Sequence, residues 1–394
     1  MFKIRFKSVV ILVGLVFFVQ CTSTTKKVDN NVSERRVNFG KLIKINNSEV
    51  ISNYSFIRLE TTEESLIGTV NQIEIVNDKI YILDNYASQG LFVFSITGKF
   101  LAKLTHRGNG PGEFISPYSF YIDKNGYLLL YDMQLSRLLK YDSNSLKFIE
   151  EVKMPFRSAK SFYVLPSDDL YLYYGDKGNR DFKETNILIV SDKKGKVHKQ
   201  FLKTTPSENI FHGSETDFYS FSGDSYFYPY FSNKIYLVKK DTVQCKYELL
   251  FGDNKMVDEE LFLKYKNDRD FMKEIIMGDD NWIRLLYVYE NDTNLVVKYY
   301  IKKDFYMGIY NKISQEVVNF KCSTVTDDIG IGGVFPLPKG RYGNRFIAQI
   351  NYSDIHKDAL KDEKLKAIVK VSSEDTNPIL MIYSINSKLG RVSR

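Results

Sequence analysis

The chain has 394 residues, a formal charge of +7, 43% hydrophobic residues and an aromatic share of 14%, with 28 Tyr and 28 Phe against one Trp. That balance excludes a disordered chain, a collagen-like repeat and a multi-span membrane protein. Bulky aromatics fit a pleated sheet better than a helix, so the composition points to an all-β protein, and all-β repeat folds run long as one unit.

The chain opens with MFKIRFK, which sets Lys3, Arg5 and Lys7 ahead of an apolar run from Val9 to Val19. A membrane-spanning helix needs about 20 apolar residues. This run is shorter and follows a basic stretch, so residues 1–20 read as an export signal. Removing it takes three positive charges from the total. No long Lys/Arg run remains, and nucleic acid is not an expected partner. Phe18-Val19-Gln20-Cys21 resembles the lipobox of bacterial lipoproteins, in which the Cys thiol takes diacylglycerol and becomes the mature N-terminus. Gln20 departs from the small residue usual there. The resemblance implies lipid attachment at Cys21 and a place in the cell envelope. The absence of an acidic cluster after Cys21 favours the periplasmic side of the outer membrane over the cell surface. Residues 21–50 are expected to form a flexible tether, because Thr22 to Arg36 is polar and lacks aromatics.

Residues 51–390 are expected to form one domain built on a repeat. Lys79 to Leu104 aligns with Gly126 to Val152 at a spacing of 48, matching Asp84 with Asp132, Val93 with Tyr141 and Phe100 with Phe148. Each unit reads as strand, Asp turn, strand, turn, strand, and Gly98 supplies a hairpin position that needs positive φ. Further units run from Leu170 to Phe201, Ser225 to Leu249 and Leu295 to Phe320, and a sixth joins Arg345–Ile350 to Ile379–Ile385. A period of about 45 residues with three or four short strands per unit is the pattern of propeller blades. The early strand from Tyr54 to Glu60 is expected to lie beside Ile379–Ile385 and close the ring. The fold class is therefore a six-bladed β-propeller, all-β, with two short helical insertions. One is expected near 256–277, where apolar residues approach helical spacing, and one near 353–370, with Ser353 or Asp354 as N-cap.

Beyond Cys21 the only cysteines are Cys245 and Cys322. An oxidising periplasm would allow a disulfide between them. Each also sits in strand-like text where a lone buried Cys is common, so the sequence leaves both readings open.

The segment Arg107-Gly108-Asn109-Gly110-Pro111-Gly112-Glu113-Phe114, followed by Pro117, Asp123, Asn125-Gly126 and Asp132, resembles the NHL type of propeller repeat. The mature chain as a whole resembles the six-bladed β-propeller lipoproteins of unknown function from the envelope of Gram-negative anaerobes. That resemblance is carried by Phe56 to Gly68, the Arg107 to Phe114 loop, Tyr226 to Val238 and Asp375 to Ile385. It implies an NHL-like blade and an envelope address, and brings no activity with it.

Two local features are candidate ligand sites. In the loop, backbone N–H groups freed by three glycines, with Arg107, Asn109 and Glu113, could meet an anion. The P-loop Lys-Ser/Thr and its helix are missing, and an inter-blade turn is the simpler reading. In the aromatic run near Phe231, Tyr228 and Tyr230 could stack on a sugar or peptide, although alternate members must pack between blades. His106, His198, His212 and His356 fall in unrelated contexts, with no metal-ligand spacing and no nucleophile elbow. Asp84 and Asp132 occupy equivalent positions and read first as turn formers. The function expected is a lipid-anchored, monomeric, non-catalytic binding or scaffold module without a cofactor, holding an envelope protein, peptide or glycan. The alternative is a hydrolase or lyase using a carboxylate-bound divalent cation at the mouth of the central channel.

Overall fold

The computed structural model describes residues 34–155, 159–165, 170–175, 186–203, 217–229, 232–257, 261, 264–265, 268–278 and 282–390. The expected export signal and Cys21 lie outside these residues. The described chain starts with β1 (Arg35–Asn38), a short helix α1 (Asn47–Val50) and β2 (Ile51–Arg58). Six sheets, antiparallel apart from the β1–β18 and β19–β20 pairs, then follow one another along the chain.

Blade one is β3 (Gln72–Val76), β4 (Lys79–Asp84), β5 (Gly90–Ser95) and β6 (Phe100–Leu104). Blade two is β7 (Pro117–Ile122), β8 (Tyr127–Asp132), β9 (Arg137–Asp142) and β10 (Phe148–Val152). Blade three is β11 (Ala159–Leu165), β12 (Leu170–Gly175), β13 (Asn186–Ser191) and β14 (Val197–Lys203). Blade four contains β15 (Phe218–Phe221), β16 (Asp224–Phe227), β17 (Lys234–Val238) and β18 (Val243–Leu250), with β1 added in parallel outside β18. Blade five has the two-residue β19 (Lys255–Met256) beside β20 (Trp282–Glu290), then β21 (Asn294–Ile301), β22 (Asp304–Asn311) and β23 (Val317–Lys321). Blade six is β24 (Pro338–Tyr342), β25 (Arg345–Ile350), β26 (Ile379–Ile385) and finally β2.

The ring closes as the sequence predicts: β2 pairs antiparallel with β26, placing Phe56 opposite Met381. The side-chain pattern shows why six sheets form one object. Along β4, Ile80 and Ile82 pack toward blade six, while Tyr81 and Leu83 pack toward blade two. A strand with an apolar neighbour on both faces reads as a continuous apolar run rather than an alternating one. Buried clusters of this kind occupy every junction: one–two, two–three, three–four, four–five, five–six and six–one. Full burial of one such side chain is worth about 1.5–3 kcal/mol, so the junctions hold the ring together.

Gly98 has φ +88 in the β5–β6 hairpin, and a Cβ there would fall 2.1 Å from the Arg58 carbonyl oxygen of the closing strand. Only glycine fits that approach. Residues 34–50 differ from the expected tether. Val37, Phe39, Ile45 and Val50 are buried, and Phe39 seats against Phe251 between blades four and five. Gly308 makes room for it, since a Cβ there would sit 2.5 Å from the Phe39 ring. Polar composition hid this because the buried apolar residues are separated by exposed ones.

The helices of the two insertions are short, as expected. The first includes α2 (Asp268–Phe271) and one π turn over Met272–Ile276, packed through Phe271 and Ile275 on Val257. In the second, two single 3-10 turns precede α3 (Glu363–Val369). Its N-cap is Asp362, whose carboxylate accepts from the Leu365 N–H at 2.9 Å, so neither Ser353 nor Asp354 caps it. Cys245 and Cys322 are both free thiols on different blades, so the disulfide considered from sequence is not made. Cys322 is packed in the five–six cluster.

Candidate functional site

The innermost strand of each blade, β3, β7, β11, β15, β20 and β24, faces the centre of the ring. Together they line a cavity of about 270 Å³. Alternation assigns the faces of β3: Ile73 and Ile75 enter the six–one cluster, while Gln72 and Glu74 lie among the residues lining the cavity. The Gln72 amide spans two blades, accepting from the Phe120 N–H at 2.9 Å and donating to the Phe120 carbonyl at 2.8 Å. Gly340 on β24 lets blades six and one close up, because a Cβ there would meet the Ile73 carbonyl at 2.9 Å.

Glu74 is the central acid. Burial pushes its carboxyl up to about 7, against the lowering effects of the Arg341 guanidinium and of a Gln72 hydrogen bond. Its field reaches Tyr121, Tyr163 and Tyr289, so one carboxylate of blade one faces groups from blades two, three, five and six. Arg341 spans the cavity from blade six to blade four, with Nη2 donating to the Ser220 carbonyl at 3.0 Å and Nη1 to the Gly343 carbonyl at 3.1 Å. Lys339 donates to the Val70 carbonyl at 2.7 Å. Tyr289 donates to the Pro338 carbonyl at 3.1 Å.

A second acid in the wall, Glu290, is only 2% exposed but fully engaged. It accepts from the Tyr219 and Tyr247 hydroxyls and from Lys312 Nζ, each at 2.9 Å. Ser119, 3% exposed, also lines the cavity and leaves its hydroxyl without a partner. The arrangement combines aromatic walls, an acceptor at Glu74 and a donor at Arg341. Among the described residues, no three His, Cys, Asp or Glu side chains are grouped to hold a metal ion.

Of the residues singled out from sequence, Tyr228 lines this cavity, and Tyr230 lies outside the described residues. Arg107, Asn109 and Glu113 sit elsewhere, in the loop joining blade one to blade two. There the Glu113 carboxylate accepts from the Gly110 N–H at 2.8 Å, and a Cβ on Gly108 would strike it. Arg137 donates to the carbonyls of Asn109 and Glu113, and the Tyr141 hydroxyl donates to that of Gly112. The Arg107 and Asn109 side chains are exposed.

Asp84 and Asp132 are buried ties between loops. Asp84 accepts from the N–H groups of Gly68, Tyr86, Ala87 and Ser88 and from the Ser88 hydroxyl. Burial raises its carboxyl, but the hydrogen bonds from Ser88, Ala87 and Gly68 outweigh that and leave it below the usual carboxylate range. Asp132 accepts from Ile115, Ser116 and Leu135 in the same manner.

The cavity residues missed by sequence reasoning are Glu74, Ser119, Tyr163, Tyr289 and Arg341. All stand on innermost strands, which lie outside the aligned units. The one available signal was an unpaired charge within an apolar strand, as in Gln72-Ile73-Glu74-Ile75-Val76.

A family model described as a domain of unknown function, DUF4934, matches residues 30–384. Among solved structures, the chain is similar to a Bacteroides fragilis protein described as a candidate exported protein. That match has 23% identity and a TM-score of 0.79, and covers 89% of this chain and 100% of the other. At that identity it shows the fold. A virginiamycin B lyase from Staphylococcus aureus matches at 12% identity and a TM-score of 0.40, covering 75% of this chain and 80% of the other, and carries no argument. No curated protein matches the sequence.

Proposed function

We propose a non-catalytic binding role for this chain, which belongs to the DUF4934 family of domains of unknown function. The ligand enters the central cavity, and is a peptide or glycan, or an end or fragment of one. The observation that carries this reading is the convergence of Glu74, Arg341 and tyrosines from several blades on a cavity of about 270 Å³. A charge drawn out of water is costly to a fold unless it is paired, and Glu74 and Arg341 are both half-buried. Arg341 also ties blade six to blade four, whereas Glu74 has no ion-pair partner within 4.0 Å among the described residues.

The address belongs to the same reading. The basic and apolar N-terminal text, the lipobox-like Cys21 and the likeness to a candidate exported protein support export and a lipid anchor in the envelope. Cys21→Ala should release the exported protein from the membrane and change its mass. A variant that stays membrane-bound with unchanged mass contradicts the anchor.

The binding role is tested by purifying the protein from native envelope and identifying co-purifying small molecules, peptides and sugars by mass spectrometry. The expected result is a species enriched on wild type and lost from the Glu74→Gln/Arg341→Met double variant. Identical profiles on both would remove the central cavity as the binding site.

A further inference from the structure

We propose that the central cavity binds a small zwitterion, an amino acid or a dipeptide, with its carboxylate on Arg341 and its ammonium on Glu74. The inference rests on the binding role above and names the ligand class of that site. Glu74 and Arg341 enter the cavity from adjacent blades and feel each other's charge, yet among the described residues neither has an ion-pair partner within 4.0 Å. Glu290 in the same wall shows the contrast, since it is paired with Lys312 and hydrogen-bonded by two phenols. Two opposite charges held apart in one cavity are complementary to a molecule carrying both.

Of the five donors of a guanidinium, Arg341 uses one on each Nη for backbone carbonyls, and donors remain for a carboxylate. The unsatisfied Ser119 hydroxyl adds a further polar contact. Tyrosine faces suit an ammonium and the apolar part of a side chain. Size decides against larger occupants: about 270 Å³ falls below the roughly 300–1,000 Å³ of drug-sized pockets. A folded partner or an extended glycan chain does not enter it.

The protonation of Glu74 follows from its surroundings. The groups facing it are Gln72 on its own strand, Tyr121, Tyr163 and Tyr289 on three others, and Arg341 on β24. Burial leaves it titrating at about 7 in the empty site. An ammonium beside it favours the carboxylate, so binding releases a proton, and affinity should rise about tenfold from pH 6 to pH 8.

The test is calorimetric titration of the full chain with each of the twenty L-amino acids and with L-alanyl-L-alanine. The expected result is binding of at least one zwitterion, with proton release near pH 7 and affinity at least tenfold weaker for its N-acetyl and amide derivatives. Glu74→Gln and Arg341→Met should each cost at least tenfold while melting within a few degrees of wild type. Derivatives that bind equally well, affinity that falls as pH rises, or no binding by any of these probes overturns the inference. If glucose binds instead and the two variants abolish it, the zwitterion falls and the binding role stands. With no binding by any probe, the co-purification experiment decides that role separately.

Discussion

The outer three strands of each blade and the innermost strand obey different rules. Among the outer three, the middle strands present apolar residues to both neighbouring blades, as Ile80 and Ile82 do on one side and Tyr81 and Leu83 on the other, whereas outermost strands such as β10 and β14 are largely exposed. The innermost strands also meet a cavity lined by Glu74, Ser119 and Arg341, and in β3 only the face with Ile73 and Ile75 enters a junction. The first set makes the ring; in the second, Gln72 and Arg341 also tie blades together, while Glu74 has no ion-pair partner within 4.0 Å among the described residues. The difference teaches that packing between blades and the lining of the cavity are divided by radius within a blade such as blade one.

Substitutions should fall into two classes along that division. The largest effect is expected for Phe94→Ala in β5, whose ring is fully buried in the six–one junction. It should cost about 3–5 kcal/mol, read as a lower denaturation midpoint. A loss below about 1 kcal/mol would mean the junctions do not carry the ring. Gly98→Val comes next: positive φ and contact with Arg58 at the closing strand should cost about 1–3 kcal/mol, and hydrogen exchange should rise first in β2 and β26.

Asp84→Ala frees several buried N–H groups at once and should cost about 1–3 kcal/mol. The pH dependence has a definite sign. The folded carboxyl of Asp84 lies below its unfolded value, so its contribution is present above the unfolded value near 4 and is lost as pH falls through the folded one. The variant should therefore converge on wild type in acid, and a gap that widens there contradicts the account. The smallest effect is expected from reductant: with both described thiols free, dithiothreitol should leave the melting temperature unchanged.

The sequence shows the outer strands plainly and the inner ones poorly, for one physical reason. Repetition is visible where each blade solves the same packing problem, so Val93 and Tyr141 align across 48 residues. The innermost strands differ from blade to blade, and Glu74, Tyr163 and Arg341 share no motif. The closing strand was legible because Phe56 and Ile57 continue the blade pattern outside the first unit. The helix cap at Asp362 was not, because several polar residues precede that helix and only packing selects among them. The glycine-rich loop drew notice for composition, whereas its carbonyls and Glu113 mostly hold the loop itself.

The most direct measurement is the stability of Glu74→Gln against wild type at pH 8 and pH 4. Burial raises the Glu74 carboxyl to about 7, so its ionised form opposes folding. Wild type is most favoured below the unfolded value near 4 and loses that stability as pH rises through about 7. The account predicts that the variant is at least as stable as wild type at pH 8, with any advantage fading by pH 4. A variant that loses several kcal/mol at pH 8, as a junction residue would, would make Glu74 a structural anchor and contradict the separation of ring from site.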